Sequence, residues 1–266
     1  MDKKKKKNVQ KWIAQPGAIE REFGIPIAGI IQEKDKWTQT ALKSYPSEGK
    51  LNWLELFGRA APVVLDLGCG NGRSTLASAW SRPECDHLGI DTLPVVIRYA
   101  RRRGNQRGLK NLKFAVGGAY ELLDQWVEPG SVAEIHCYHP QPYYDPREVH
   151  KRLITPAFLT LVHRALQPDG QFVIQTDHPG YWQYIREIMG YFFQWEERIG
   201  PWPDSPKGRT RREIIAIRKG LPVFRGIGAP IRELTEENSI RLAGLLPDPV
   251  FEADRRLIEL DHQERM

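Results

Sequence analysis

The segment Asp66-Leu67-Gly68-Cys69-Gly70-Asn71-Gly72 closes an apolar run that starts at residue 61. An amphipathic stretch begins directly after it, so its three alternating glycines lie between a predicted strand and a predicted helix. Glycine permits a sharp turn at such a junction, and the N-terminus of the helix offers unpaired N–H groups to a ligand. The segment therefore predicts a nucleotide-type binding turn at the start of an α/β domain.

Strand-length apolar runs and helix-length amphipathic stretches alternate from residue 61 onward. This alternation is typical of a parallel sheet with crossover helices and predicts an α/β, doubly wound, mostly parallel sheet. Beyond it we expect one long aromatic helix from about residue 181 through Trp195, and a strand pair around residues 214–217 and 223–224. The predicted strands cover residues 61–68, 87–91, 112–118, 131–140 and 170–177, and the helices between them cover 73–80, 94–103, 119–126 and 157–166.

The pattern divides the chain into three parts. Residues 1–60 lack a firm periodicity and are expected to form an N-terminal arm that packs on the main body, with its first residues disordered. Residues 61–235 form the ligand-binding domain, and residues 236–266 form a C-terminal helical tail. A hydrophobic content of 41% in 266 residues is enough for a substantial core.

Several classes of protein are disfavoured by composition. No apolar run approaches the roughly 18 residues of a membrane span, and no secretory stretch follows the N-terminus, so we expect a cytoplasmic protein without membrane contact. Three irregularly spaced cysteines fit neither a disulfide framework nor a zinc site, so no metal is expected.

The net charge of +6 depends largely on one run of five lysines, at residues 3–7. Binding to nucleic acid must therefore be argued from local patches rather than from the total charge. Two basic segments remain in the body of the chain, at residues 101–113 and 207–219, and we expect them to hold phosphates.

Asp91 strengthens the interpretation of the glycine segment. It ends the second predicted strand about 20 residues downstream, where a carboxylate can accept hydrogen bonds from both hydroxyls of a ribose. A glycine triplet by itself also occurs in structural turns, and Asp177 could equally cap the helix that follows it. The spacing D-x-G-x-G-x-G differs from the G-x-G-x-x-G of NAD sites.

This glycine and aspartate pattern resembles the Rossmann-like class I methyltransferases, which bind S-adenosyl-L-methionine. The resemblance implies that Gly68 and Gly70 approach the methionine part with Asp66 beside them, that Asp91 holds the ribose, and that two residues border the adenine. The implied cofactor-binding residues are Asp66, Gly68, Gly70, Gly72, Asp91, Gly118 and Ala119.

Three later motifs, in their order, are similar to the bacterial tRNA (guanine-N7)-methyltransferase family over about residues 60–225. They are the loop of residues 138–146, the pair Thr176-Asp177 and the segment Thr210-Arg211-Arg212-Glu213. The resemblance implies tRNA as partner, in a monomer or homodimer. The implied catalytic residues are Gln141, Asp177 and His139, and the implied substrate-binding residues are Asp145, Asp177, Thr210 and Glu213.

The loop departs from the family pattern in its central carboxylate. The family's aspartate falls on Gln141, or on His139 if the loop is shifted, and its lysine falls on Asp145. Guanine N7 has a free lone pair and needs no deprotonation, so the loss does not exclude methyl transfer. Two alternatives stay open: a small-molecule methyltransferase of the same fold, and a non-catalytic tRNA-binding homologue.

Overall fold

The computed structural model describes residues 15–252 and 256–259. The lysine run at residues 3–7, and with it the expectation of a disordered start, lies outside the described residues, as do residues 260–266 of the predicted tail. No helix among the described residues is long and apolar enough to span a membrane.

The described part of the N-terminal arm packs against the main body. It contains a hairpin of β1 (Arg21–Glu22) and β2 (Ile25–Pro26) and the short helix α1 (Trp53–Phe57). Between them the chain runs beside the strand that contains Phe114, whose N–H donates to the Thr40 carbonyl at 2.7 Å and whose carbonyl accepts from Leu42 at 3.0 Å. The arm thus covers one edge of the sheet, which would otherwise expose unpaired backbone groups.

Seven strands form the main sheet. The strands are β3 (Val63–Leu67), β4 (Asp86–Asp91), β5 (Leu112–Val116), β6 (Val132–Tyr138), β7 (Leu166–Thr176), β8 (Phe193–Glu197) and β9 (Phe224–Pro230). Their order is β5-β4-β3-β6-β7-β9-β8, and only β9 runs antiparallel to the other six, so the predicted mostly parallel α/β architecture is confirmed.

Helices flank this sheet. One core cluster joins α2 and α3 to Phe114, and a larger one joins the central strands to α5 and α6. The helices are α2 (Arg73–Ser81), α3 (Pro94–Gln106), α4 (Ala119–Glu121), which continues as a π-helical turn over Leu122–Trp126, α5 (Pro156–Ala165), α6 (Pro179–Met189), α7 (Arg211–Arg218) and α8 (Glu236–Ala243). The whole of β3 is buried, including Asp66, and its otherwise apolar sequence is typical of a central parallel strand.

The predicted aromatic helix through Trp195 is wrong in its second half. The helix α6 ends at Met189, and Phe193 and Trp195 belong to strand β8. Phe193 is buried and Trp195 is half-buried, whereas Gln194 and Glu196 between and after them are exposed. This two-residue alternation is the signature of a half-buried strand, and the high aromatic content obscured it.

The predicted strand at residues 214–217 is also wrong, because this segment lies in helix α7. Thr210 caps the helix, and its hydroxyl accepts a hydrogen bond from the backbone N–H of Glu213 at 3.0 Å. The sequence Thr-x-x-Glu is a capping signal, and here it outweighs the strand preference of the β-branched residues that follow. Strand β9 pairs instead with β7 and β8.

The sheet order places a crevice at the carboxyl ends of the central strands. Strand β3 lies between β4 and β6. The chain adds β4 and β5 on one side of β3 and then returns to add β6 and the later strands on the other side, so the strand order reverses at β3. Ligands of open α/β sheets bind outside the carboxyl ends of the strands at such a switch point. The fold therefore brings together the residues that follow β3, β4, β6 and β7.

Candidate active site

A cavity of about 500 Å³ opens at this switch point. Eight of the residues proposed from the sequence line it, and they come from both sides of the switch. These residues are Asp66, Gly68, Gly70, Asp91, His139, Gln141, Asp177 and Thr210. Gly72, Gly118, Ala119, Asp145 and Glu213 do not line it.

The glycine turn forms one wall of the cavity. Gly68 and Gly70 have φ angles of 80° and 55°, which L side chains rarely adopt, and a Cβ added to either would meet no atom within 4 Å. The turn thus leaves space for a ligand directly against its backbone. Gly72 differs, because its Cβ would lie 2.7 Å from Ala100 and 2.8 Å from the Phe114 ring. Its lack of a side chain serves helix–sheet packing.

Two carboxylates, the buried Asp66 and the half-buried Asp91, hold this wall in place. Asp91 accepts hydrogen bonds from the backbone N–H groups of Gly70 at 3.0 Å and Leu93 at 2.9 Å. Asp66 accepts one from the Thr75 hydroxyl at 2.6 Å. Burial raises the pKa of both carboxyl groups, and for Asp91 the hydrogen bonds to backbone N–H groups oppose the increase.

Gly118 and Ala119 lie beside this wall, at the end of the neighbouring strand β5. The Gly117 N–H donates to the Asp91 carbonyl at 3.1 Å, which joins this loop to the end of β4. The Glu121 carboxylate occupies the position that a side chain on Gly118 would fill. A carboxylate therefore fills the space beside the Gly118 Cα, and it comes from Glu121, three residues later in the chain.

The opposite wall is built around a pair of buried side chains, His139 and Asp177. Nδ1 of His139 lies 3.2 Å from Oδ1 of Asp177, and Nε of Arg212 donates to Oδ2 of Asp177 at 2.8 Å. Burial raises the pKa of Asp177, but the hydrogen bonds and charges of His139 and Arg212 outweigh it and hold the pKa below its ordinary value. Asp177 is therefore ionised at neutral pH.

A chain of hydrogen bonds fixes the state of the His139 ring. The indole N–H of Trp202 can only donate, and it donates to Oε1 of Gln175 at 2.6 Å. The Gln175 amide nitrogen then faces Nε2 of His139 at 3.0 Å, so this ring nitrogen accepts and Nδ1–H donates to Asp177. Both nitrogens of His139 are thus hydrogen-bonded within the protein, which holds the ring in place beside Asp177.

Asp177 does not cap the following helix. His178 is the N-cap of α6, and its Nδ1 accepts the hydrogen bond from the Tyr181 N–H at 3.1 Å. The Asp177 carboxylate lines the cavity instead. The purely structural interpretation of this residue therefore loses its main support.

The loop after β6 carries Gln141 into the cavity. No side chain among the described residues hydrogen-bonds its amide, which leaves the amide available to a substrate. The loop is held from behind by the buried Arg152, whose guanidinium donates to the carbonyls of Pro142 at 2.7 Å and Tyr143 at 3.2 Å. Arg152 therefore fixes the loop and is not exposed to bind a phosphate.

Three residues proposed to bind substrate have other partners. Asp145 lies outside the cavity and forms an ion pair with Arg147 at 2.6 Å. Thr210 lines the cavity, but its hydroxyl caps α7. Glu213 is fully buried and forms an ion pair with Arg225 at 2.5 Å. This burial and pairing favour a structural role for Glu213, and its binding of substrate stays a prediction.

A family model described as "Putative methyltransferase" matches residues 60–225. The tRNA (guanine-N(7)-)-methyltransferase of Alcanivorax borkumensis is 31% identical over 180 residues, which are 68% of this chain and 75% of that protein. The chain belongs to the tRNA (guanine-N7)-methyltransferase family. The methyltransferase family expected from the sequence is thereby confirmed.

Other relatives carry the same name. The protein of Halorhodospira halophila is 31% identical over 70% of this chain and 82% of its own length. The protein of Saccharophagus degradans is 28% identical over 84% of this chain and 94% of its own length. Among solved structures, the 16S rRNA methyltransferase KamB has a TM-score of 0.52 at 15% identity, over 72% of this chain and 98% of that one. This likeness shows a shared Rossmann-like fold.

Only part of the two basic segments is available to a nucleic acid in this family member. Arg103 and Arg107 are buried and form ion pairs with Glu20 of the arm at 2.9 and 3.3 Å. Arg209 pairs with Asp204 at 2.8 Å. Lys110, Lys207, Arg211 and Lys219 keep exposed positions. The expectation that both segments bind phosphates is therefore wrong for Arg103 and Arg107.

Sequence reasoning missed two residues behind the cavity wall, Gln175 and Trp202, and two that line the cavity, Glu22 and Arg73. Gln175 precedes the Thr-Asp motif directly and could have been found from that position in the strand. Trp202 lies in a Pro-rich loop without a recognisable pattern. Glu22 and Arg73 form their ion pair although they are 51 positions apart in the sequence. Only the folded arm shows that these two side chains line the cavity.

Substitution of the two glycines separates binding from packing. Gly68→Ala and Gly72→Ala share the cost of a left-handed backbone, but only Gly72→Ala forces a methyl group into Ala100 and Phe114. We expect Gly72→Ala to lower the free energy of unfolding by about 1–3 kcal/mol more than Gly68→Ala in urea titrations. We expect Gly68→Ala to lose more cofactor affinity in calorimetry. Equal effects in both assays would contradict these roles.

Replacement of Glu213 tests its structural role. Glu213→Ala leaves the buried Arg225 without its carboxylate, so we expect a loss of about 3–5 kcal/mol in the free energy of unfolding. Glu237→Ala, at an exposed carboxylate of α8, should change it by less than about 0.5 kcal/mol. A stable Glu213→Ala protein with a raised KM for tRNA would instead restore the substrate-binding interpretation.

Proposed function

We propose that the protein transfers the methyl group of S-adenosyl-L-methionine to N7 of a guanine in tRNA. Family membership supports the reaction, and one observation carries it: the glycine turn with Asp91 and the wall of Gln141 and Asp177 face a single cavity. A cofactor on the turn and a base at the opposite wall would therefore meet inside that cavity.

The residues of the first wall fit this cofactor. The open space over Gly68 and Gly70 admits a chain lying on the backbone. Each Asp91 oxygen accepts one backbone N–H, which leaves lone pairs on both oxygens for the ribose hydroxyls. When bound, the cofactor supplies an activated methyl group on its sulfonium. We assign the adenine to the loop of Gly118 and Ala119, where the Glu121 carboxylate lies beside Gly118.

The second wall has to orient the guanine. Guanine N7 attacks with its own lone pair, so the enzyme has to align the reactants and stabilise the positive charge that develops on the purine. Asp177 is ionised and buried, which strengthens its interaction with that charge. The Gln141 amide oxygen can accept from the base. We assign these two residues to the guanine and His139 to the positioning of Asp177.

A tRNA substrate fits the charge around the cavity entrance. Arg211 lines the cavity, and its side chain is 46% exposed, so it can contact a phosphate next to the flipped base. Lys207 and Lys219 are exposed near the two ends of the same segment. Phosphate contacts of this kind make binding depend steeply on salt, whereas a small acceptor would not show such a dependence. The expected monomer or homodimer and cytoplasmic location stay predictions.

Mass spectrometry of tRNA nucleosides tests the reaction. After incubation of unmodified tRNA with the protein and S-adenosyl-L-methionine, we expect 7-methylguanosine, and we expect none without the cofactor. Asp91→Ala should weaken cofactor binding roughly 10- to 100-fold and reduce the product at limiting cofactor. Folded protein that binds the cofactor but forms no 7-methylguanosine would refute the proposed reaction.

Exchange of polar groups on the second wall tests its role. Asp177→Asn removes the buried charge, so we expect the methylation rate to fall on the order of 10²-fold while calorimetric affinity for S-adenosyl-L-homocysteine stays nearly unchanged. Gln141→Asp adds a second carboxylate and should raise the rate. If the native protein shows no turnover and Gln141→Asp creates it, the chain is a non-catalytic tRNA-binding homologue.

A further inference from the structure

A second charged cluster lies in the cavity, away from His139 and Asp177. It joins Glu22 of the hairpin in the N-terminal arm to Arg73, the first residue of α2. Both side chains are about nine-tenths buried, with exposures of 10% for Glu22 and 7% for Arg73. Arg73 directly follows the glycine turn, so the cluster lies at the methionine end of the proposed cofactor site.

The two facing atoms of this pair are unsatisfied. Oε2 of Glu22 and Nη1 of Arg73 are 3.6 Å apart, and neither has a hydrogen-bond partner. The remaining atoms are bound elsewhere: Oε1 of Glu22 accepts from Asn71 at 2.8 Å and from Arg211 at 3.4 Å and lies 3.7 Å from Nη2 of Arg103. Nη2 of Arg73 donates to the Pro26 carbonyl at 2.8 Å. Buried charged atoms without hydrogen bonds are costly, and in native proteins such exceptions call for an explanation.

The chemistry of the pair selects its ligand. A simple anion would satisfy Nη1 of Arg73 but leave Oε2 of Glu22 without a donor, and a simple cation would satisfy Oε2 but leave Nη1 without an acceptor. A group that carries an ammonium and a carboxylate on one carbon satisfies both atoms at once. The unpaired oxygen and the unpaired N–H therefore fit the α-amino acid end of a ligand.

The hairpin is held in a strained shape that keeps Glu22 in the cavity. Phe23 and Gly24 at its turn have φ angles of 50° and 74°, and such a backbone is unfavourable for a bulky residue such as Phe. The guanidinium groups of Arg211 and Arg218 lie over the Phe23 ring at 4.9 and 5.4 Å, and Arg218 also donates to its carbonyl. Helix α7 thus fixes the turn of the arm.

We propose that Glu22 and Arg73 bind the α-ammonium and the α-carboxylate of the methionine part of the cofactor. The proposal rests on the proposed function, because it requires an S-adenosyl ligand on the glycine turn. It makes the N-terminal arm part of the cofactor site, so the domain over residues 61–235 does not form that site alone. The arm would also link cofactor binding to α7, which contributes Arg211 to the cavity entrance.

Three ligands distinguish binding of the cofactor's amino acid end from binding of its nucleoside. S-adenosyl-L-homocysteine carries both charges, decarboxylated S-adenosylmethionine keeps only the ammonium, and 5′-methylthioadenosine has neither. In calorimetry of the full-length protein, Glu22→Gln should weaken the affinity for S-adenosyl-L-homocysteine roughly 10- to 100-fold. It should change the affinity for 5′-methylthioadenosine by no more than about twofold. Arg73→Lys should weaken the affinity for S-adenosyl-L-homocysteine by a similar factor but change the affinity for decarboxylated S-adenosylmethionine by no more than about twofold.

A matched control is provided by Glu20→Gln. Glu20 lies on the same arm and pairs with Arg103 and Arg107, but it does not line the cavity. This change should therefore weaken the affinities for all three ligands equally or leave them unchanged. Equal losses for all ligands in Glu22→Gln, or no loss for S-adenosyl-L-homocysteine, would overturn the inference and leave the proposed function standing. A native protein that binds none of the ligands would overturn both.

Discussion

The hydrogen bond from the Gly70 N–H to the Asp91 carboxylate is the interaction on which the site depends. It ties the turn after β3 to the end of β4, across the pair of strands whose order defines the switch point. Gly68 and Gly70 adopt left-handed backbone angles there, which keep side chains out of the space above the turn. In the proposed cofactor site the same carboxylate would also accept from the ribose, so one group would both shape the turn and contact the ligand.

The second wall is organised by the donor-only character of its two ends. Trp202 and Arg212 can only donate, and between them Gln175, His139 and Asp177 have one arrangement that satisfies every bond. Such a network needs little rearrangement when a base enters, because its dipoles are already aligned. In the proposed function, the buried and ionised Asp177 is the one carboxylate of this wall that would face the purine, since the loop carries Gln141 at the place of the family's aspartate.

The sequence was sufficient for features that depend on local pattern. The buried β3 run, the glycine turn and the spacing to Asp91 follow from periodicity and backbone chemistry, and the structure brings them together as expected. Helix α7 was missed because β-branched residues outweighed a capping signal in the prediction. The roles of Glu22 and Glu213 could not be predicted, because their partners are set by tertiary packing of segments distant in sequence or hidden in the core.

A crystal structure of the protein with S-adenosyl-L-homocysteine tests the central claim most directly. We predict a nucleoside whose ribose hydroxyls lie about 2.7–3.2 Å from the Asp91 carboxylate, with the sulfur over the glycine turn and facing Gln141 and Asp177. A nucleoside bound elsewhere, or one whose ribose is turned away from Asp91, would contradict the claim that this turn and this carboxylate form the cofactor site.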